Sequence, residues 1–223
     1  TKRYRSTQEI LDVFERERLC RKITVGAVAS VVLAMCLWAG YMLNNRTPEV
    51  ILLSENGTRG KLAHVEYSIT SEAESVCAVT GCEKVAKPVI EERVSINGKK
   101  YKVTQVADSA FYGNEKLSSI ILPDGITSVG RKSFALCRNL QTFAFPSGIT
   151  EIPVGCLHHN PSLKKVVIPE GVIRIDADAF ACCTSLEEVV LPSTLESIGC
   201  GAFYDCKNLK ELTIPASVHT IEN

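Results

Sequence analysis

Net charge is the first thing missing from this sequence. Lys plus Arg and Asp plus Glu are both 25, so the chain as a whole has neither a basic field for nucleic acid nor an acidic field for cations. A composition 45% hydrophobic and 22% charged argues against a disordered chain, and 223 residues allow one or two domains. No spacing of acids, histidines or nucleophiles marks an active site, so no catalytic residue and no cofactor or metal site is expected. Ten cysteines are many for a cytosolic protein. Several recur at a fixed period, however, and only Cys77 and Cys82 lie close together outside it. Their number alone assigns no redox compartment.

A second absence is local. Residues 23–43 (ITVGAVASVVLAMCLWAGYML) carry no charge. As a helix they would span about 31 Å at roughly 1.5 Å per residue, which matches a hydrocarbon core of about 30 Å. Core helices are rarely apolar all round for this length, and cleaved signal peptides have shorter apolar regions. One transmembrane helix is therefore expected, with Trp38 and Tyr41 near its far interface. Lys2, Arg3, Arg5, Arg16, Arg18, Arg21 and Lys22 precede it, whereas only Arg46 follows before Arg59. The positive-inside rule then places residues 1–22 in the cytoplasm and the remainder outside it. Ser6 and Glu9 have capping-box spacing, and Ile10, Leu11, Val13 and Phe14 supply an apolar side, so residues 6–22 are expected to run into the membrane as a helix. The tail reads as a stop signal in contact with lipid headgroups. With no initiating Met, a cytoplasmic domain upstream of Thr1 is left open.

What the chain does contain is a repeat. Segments beginning at Leu117, Leu140, Leu163, Leu186 and Leu209 align with a period of 23 and no insertion. A degenerate first copy runs from Val94 through Val103, Val106 and Phe111. In each copy the opening Leu and the apolar residues three and five later are expected to alternate with more exposed ones, the pattern of a strand with one buried face. The pairs are Ile120 and Leu122, Phe143 and Phe145, Val166 and Ile168, Val189 and Leu191, Leu212 and Ile214. Pro123, Pro146, Pro169, Pro192 and Pro215 end these strands, because proline has no N–H for a ladder. A second wall is expected at Ile126 and Val129, Ile149 and Ile152, Val172 and Ile175, Leu195 and Ile198, Val218 and Ile221. A third wall carries Phe111, Phe134, Leu157, Phe180 and Phe203, whose side chains should stack at about 4.8 Å between coils. Three residues after each comes Asn114, Cys137, Asn160, Cys183 or Cys206, a compact side chain for a tight internal turn with inward-facing backbone groups.

The pattern L-x-x-φ-x-φ-P-x-x-φ-x-x-I-x-x-x-A-F-x-x-C, best matched at 163–183 and 186–206, resembles the BspA-like class of bacterial leucine-rich repeats. The preceding stretch, ending in a Gly-Lys-x-Tyr-x-Val segment, resembles the lead-in of that class. The resemblance implies a mainly β or α/β right-handed solenoid with a parallel sheet, set in a cell-surface or envelope protein that binds other proteins, cells or matrix. It carries no catalytic residue over to this chain. One departure is Cys156-Leu157-His158-His159-Asn160-Pro161 in place of Ala-Phe and the following cysteine, where a distorted wall is expected. Another is the end at Asn223, inside the sixth coil and with no visible polar cap.

The remaining segments follow. Residues 44–62 read as a linker with at most one small strand. Residues 63–93 read as an N-terminal β cap built on VEYSI, VCAVT and ERVSI, shielding the first coil's edge. The leucine-rich repeats occupy 94–223. A turn at Thr80-Gly81 would join two strands and bring Cys77 and Cys82 together as a candidate disulfide, against the alternative of two free thiols. Cys156, His158, His159, Cys182 and Cys183 could bring two thiols and two imidazoles together as ligands for Zn²⁺, or as a Cys-His pair, but at no recognised metal spacing.

The candidate binding face is the exposed side of the parallel sheet. Its positions are Ser118, Ser119 and Ile121; Gln141, Thr142 and Ala144; Lys164, Lys165 and Val167; Glu187, Glu188 and Val190; Lys210, Glu211 and Thr213. Mixed charge beside an apolar line suits a protein ligand, from the host or the envelope, although cross-strand Lys–Glu attraction alone also accounts for the pairs. The function expected is a membrane-anchored extracytoplasmic adhesion or protein-binding module, with the lipid bilayer at residues 23–43 and no nucleic acid as partner. The runner-up is an envelope signalling or structural protein coupling the solenoid to the tail.

Overall fold

The computed structural model describes residues 47–53 and 57–223. The tail and the transmembrane helix expected at 1–22 and 23–43 lie outside the described residues. Among those described, no helix is long and apolar enough to cross a membrane. The architecture is mainly β, with no helix among the described residues, which settles the class that the sequence left between mainly β and α/β.

The chain first builds a small closed cap. Strands β1 (Ile51–Leu52), β2 (Arg59–Leu62), β3 (Val65–Ser71), β4 (Val76–Cys82), β5 (Arg93–Ile96) and β6 (Lys99–Val106) pair in the order β1-β2-β3-β4-β6-β5. The ring then closes, because the chain just before β1 bonds to the far edge. The Ser95 N–H donates to Pro48 O at 2.7 Å and the Val50 N–H donates to Ser95 O at 2.9 Å. Val50, Val65, Tyr67, Val79, Val94, Ile96 and Val103 fill the interior. Closure leaves no open strand edge in this ring to recruit another chain. It depends on Gly60, where a Cβ would lie only 2.2 Å from Val50 Cγ2.

Three expectations need correction here. Residues 44–62 are not simply a linker, since their described part supplies β1 and β2. The stretch near 94 is not a first coil: β5 and β6 form an antiparallel hairpin in the cap, joined by Asn97 and Gly98, both at positive φ. Parallel pairing already joins β4 to β6, and it continues into the repeats where Gln105 and Val106 pair with Ser128 and Val129 of β7 (Ser128–Val129). Finally, Val-Cys-Ala-Val-Thr-Gly-Cys contains no turn at Thr80-Gly81; it is the single strand β4.

The solenoid itself has three walls. One carries β9 (Lys165–Val167) and β11 (Glu188–Val190), which pair in parallel and are extended toward the cap by single bridges between Thr142 and Lys165, Ser119 and Thr142, and Val89 and Ile121. The second wall is the more continuous sheet: β8 (Glu151–Ile152), β10 (Arg174–Ile175), β12 (Ser197–Ile198) and β13 (Thr220–Ile221), one strand per coil in unbroken parallel register. The third wall has no strands, yet its backbone bonds from coil to coil. The N–H groups of Phe111, Phe134, Leu157 and Phe180 donate to Ser133, Cys156, Ala179 and Ala202 at 2.8–3.0 Å. Residues two before and two after each ladder position adopt positive φ, for example Lys132 at 52° and Leu136 at 60°. That alternation turns every second carbonyl along the stack, and it is invisible in a sequence where most of these positions are not glycine.

Leu117, Leu140, Leu163 and Leu186 are each fully buried, as are Phe134, Leu157 and Phe180. At roughly 1.5 to 3 kcal/mol per fully buried side chain of this kind, and with each coil contacting only its neighbours, stability accumulates along the stack. The distortion expected at Cys156–Pro161 is absent. Leu157 holds the ladder position without exposure, and the Leu157 and His159 N–H groups reach Ala179 and Ala181 at 2.8 and 2.7 Å.

Candidate interaction surface

Alternation along each first-wall rung places one residue inward and the next outward. Ile120, Phe143 and Val166 are buried, whereas Ile121 and Val167 are 86% and 49% exposed. The rungs are in register, with Lys165, Val166 and Val167 facing Glu188, Val189 and Val190. All the strip positions from Gln141 onward are exposed, and Ser118 and Ser119 partly so. Three outward columns result: Ser118, Gln141, Lys164, Glu187, Lys210; then Ser119, Thr142, Lys165, Glu188, Glu211; then Ile121, Ala144, Val167, Val190, Thr213. Of the Lys–Glu pairs, Lys165 and Glu188 make a contact at 2.7 Å. Both side chains are more than half exposed, so the pair contributes only on the order of 0–1 kcal/mol.

The cap extends this surface by one rung that the repeat period did not reveal. The Ser118 N–H donates to Ala86 O at 2.9 Å, and Val89 pairs with Ile121. Val89 is 72% exposed and prolongs the apolar column. Lys87, Pro88, Val89, Ile121 and Pro123 line a groove of about 410 Å³ at this end. Val89 lies outside the 23-residue repeat and between two other apolar residues, Pro88 and Ile90, so no pattern in the sequence marks it as outward. Asn114 fixes the rung to the first coil: its Nδ2 donates to Glu83 O and Val85 O at 3.4 and 3.3 Å. The strip therefore runs from an apolar end at Val89 and Ile121, flanked by Lys87, through hydroxyl and amide groups, to charged rungs. A groove lined by Glu170, Glu187, Glu188, Lys210 and Glu211 lies at the far end.

The third wall separates the cysteines and histidines that the sequence had grouped. Cys156 and Cys183 are sealed inside, while His158, His159 and Cys182 are part-exposed. The Cys156 thiol lies 3.6 Å from Ser133 Oγ, and the Cys183 thiol donates to Leu157 O at 3.2 Å. Burial, followed by His159 with its ring 5.9 Å away, holds His158 below the usual imidazole range. Among the described residues no group of three or more His, Cys, Asp or Glu is placed to hold a metal ion.

The inward cysteines have a structural occupation. Each compact side chain donates to the ladder carbonyl of the preceding coil: Cys137 to Phe111 O at 3.1 Å, Asn160 to Phe134 O at 2.9 Å, Cys183 to Leu157 O, and Cys206 to Phe180 O at 3.2 Å. Burial pushes the Cys137, Cys156 and Cys183 thiols up to about 12, which keeps them protonated. Cys77 and Cys82 are both free thiols at opposite ends of β4, paired with Ile69 and Val65 of β3. Five steps of extended strand, at about 3.3 Å each, separate them beyond the Cα distance of under about 7 Å that a disulfide requires.

Comparison with known proteins agrees with the repeat fold. A family described as BspA type leucine rich repeat region matches residues 104–223 in 6 copies. Among solved structures, the chain is similar to a leucine rich cell surface protein from Faecalibacterium prausnitzii, at 29% identity and a TM-score of 0.59, covering 74% of this chain and 39% of that one. A leucine-rich repeat protein from Bacteroides ovatus aligns at 26% identity and a TM-score of 0.53, covering 72% of this chain and 48% of that one. A leucine-rich repeat protein from T. pallidum aligns at 25% identity and a TM-score of 0.58, over 78% and 82% of the two chains. The chain thus spans less than half the length of the first two. No curated protein matches it.

Proposed function

Because the chain belongs to the BspA-type leucine-rich repeat family, we propose that it is a membrane-anchored, extracytoplasmic module that binds a protein ligand on the outward strip from Val89 to Thr213. The observation that carries this reading is register: the cap rung and the repeat rungs align apolar, polar and charged columns over one surface. Solenoids bind along such extended surfaces, and exposed apolar residues rimmed by polar ones mark interaction sites. The charged rungs steer association and set its salt dependence, while Val89 and Ile121 supply an apolar anchor point. The relative from F. prausnitzii is described as a cell surface protein, in keeping with repeats presented outside the cytoplasm.

In this reading residues 23–43 span the bilayer and residues 1–22 remain inside, a topology supported by the excess of Lys and Arg before the span. Protease added to intact spheroplasts is expected to remove the repeats and spare the tail, whereas protected repeats reverse the topology. A photo-crosslinking residue at Ile121 or Val167 is expected to trap the ligand on intact cells, and one at Ile173 on the second wall, about as exposed as Val167, is not. Crosslinks confined to Ile173 would move the site to that wall.

A further inference from the structure

We propose that Ile51, Leu52 and Leu53 dock the cap onto the lipid surface, an inference that rests on the reading of residues 23–43 as the anchor. The three residues are 76%, 44% and 49% exposed, and they form a consecutive outward apolar run. The cap core is complete without them: Val50 is 4% exposed beneath, and the Leu53 N–H is already bonded to Arg59 O at 3.0 Å. Nothing in the barrel requires large apolar side chains at these three positions.

Chain length identifies the occupant. The cap backbone is pinned from Pro48 onward by its bond to Ser95, so only the five steps from Leu43 to Pro48 separate the uncharged segment from the cap. Fully extended, they reach at most about 18 Å, and a headgroup layer is itself several ångströms thick on each side. A tether that short leaves Ile51–Leu53 within reach of the interface, where Trp38 and Tyr41 mark the expected exit of the chain. The neighbouring basic groups are matched: Arg59 lies 3.5 Å from Glu66, and Lys61 is bonded to Glu83. The contact is therefore apolar and does not depend on anionic lipid.

The test places a tryptophan at the contact. The full chain carrying Trp38→Phe with Ile51→Trp, or with Leu53→Trp as an independent second variant, is reconstituted in phosphatidylcholine vesicles with lipids brominated at shallow or deep acyl positions. Blue-shifted emission, quenched by shallow bromines and shielded from aqueous iodide, is expected and supports docking. Red-shifted emission quenched by iodide overturns it. Blue-shifted emission insensitive to bromine also overturns it, because the residue is then covered by protein such as a second copy. The unsubstituted chain separates the two readings. If Trp38 is quenched by bromolipid while position 51 is not, docking fails and the anchor stands; if Trp38 is not quenched, the anchor reading fails and docking with it.

Discussion

Phe145 meets Phe180 edge to face, with ring centroids 6.3 Å apart and ring planes at 87°. The contact crosses the coil from the first wall to the third, at the level where the ladder carries Leu157 instead of phenylalanine. Phe111 and Phe134 stack at 4.9 Å below the gap, and Phe180 and Phe203 stack at 5.3 Å above it. Phe143 and Phe145 bridge it: Phe134 to Phe143 is 4.8 Å and Phe143 to Phe145 is 4.8 Å. Only this repeat has two phenylalanines at first-wall positions where the others carry aliphatic side chains. The departure at Leu157 is thus compensated in volume within its own coil.

Phe145→Ala is accordingly expected to cost about 3–5 kcal/mol through the cavity it opens, whereas Lys164→Ala on the surface stays within about 0.5 kcal/mol. Leu157→Phe alone overpacks the coil, but added to Phe145→Ala it recovers stability, with a coupling of about 0.5–3 kcal/mol. Denaturant unfolding of the four variants measures the cycle. Strictly additive effects contradict the compensation.

The closed cap predicts a second sensitive point. Gly60→Ala drives a methyl into Val50 and is expected to cost about 1–3 kcal/mol by overpacking. Hydrogen exchange at the Ser95 amide, which donates across the closure, should accelerate. Val50→Ala in the same chain should restore protection in part. Unchanged exchange at Ser95 in Gly60→Ala would show that closure does not depend on this approach.

The buried thiols predict an alkaline limit. A thiol near 9 in the unfolded chain stands near 12 in the fold at Cys137, Cys156 and Cys183, because burial disfavours the thiolate. The folded value lies above the unfolded one. The associated stability is therefore complete below about pH 9 and is lost as pH rises through the window from about 9 to about 12. Cys183→Asn retains a donor to Leu157 O, as Asn160 does one coil earlier for Phe134 O, but cannot titrate. Its alkaline loss of stability, followed by denaturant midpoint against pH, should be shallower than that of the unsubstituted chain. Parallel curves contradict the assignment.

The repeat was legible because a coil imposes one residue type at each wall every 23 positions, and Leu163 or Phe180 has little alternative to burial. The donor role of Cys137 and Cys183 was legible in kind, since a compact side chain near inward carbonyls was expected there. The cap was harder to read. Val50 and Ser95 are 45 residues apart and share no periodicity, so closure of the barrel left no local signal in residues 44–62. The Val76–Cys82 run reads as two strands in sequence because Thr80-Gly81 resembles a turn pair. In the fold Gly81 pairs with Glu66 inside a strand that β3 and β6 hold on both edges. The strip residues were placed by alternation alone, and Val89 escaped because it precedes the first repeat.

The measurement that bears most directly on the proposed function is the affinity of the captured ligand for a Lys164→Glu, Lys165→Glu double variant. An Arg131→Glu, Lys132→Glu double variant, altered on the third wall, serves as the control. Both pairs are exposed, so folding can be verified independently by unfolding midpoints. The strip account predicts weaker binding for the first variant, mainly through slower association and a smaller dependence on salt, with the control close to the unsubstituted protein. Unchanged affinity for the first variant together with a loss in the control would contradict it and assign the ligand to the third wall.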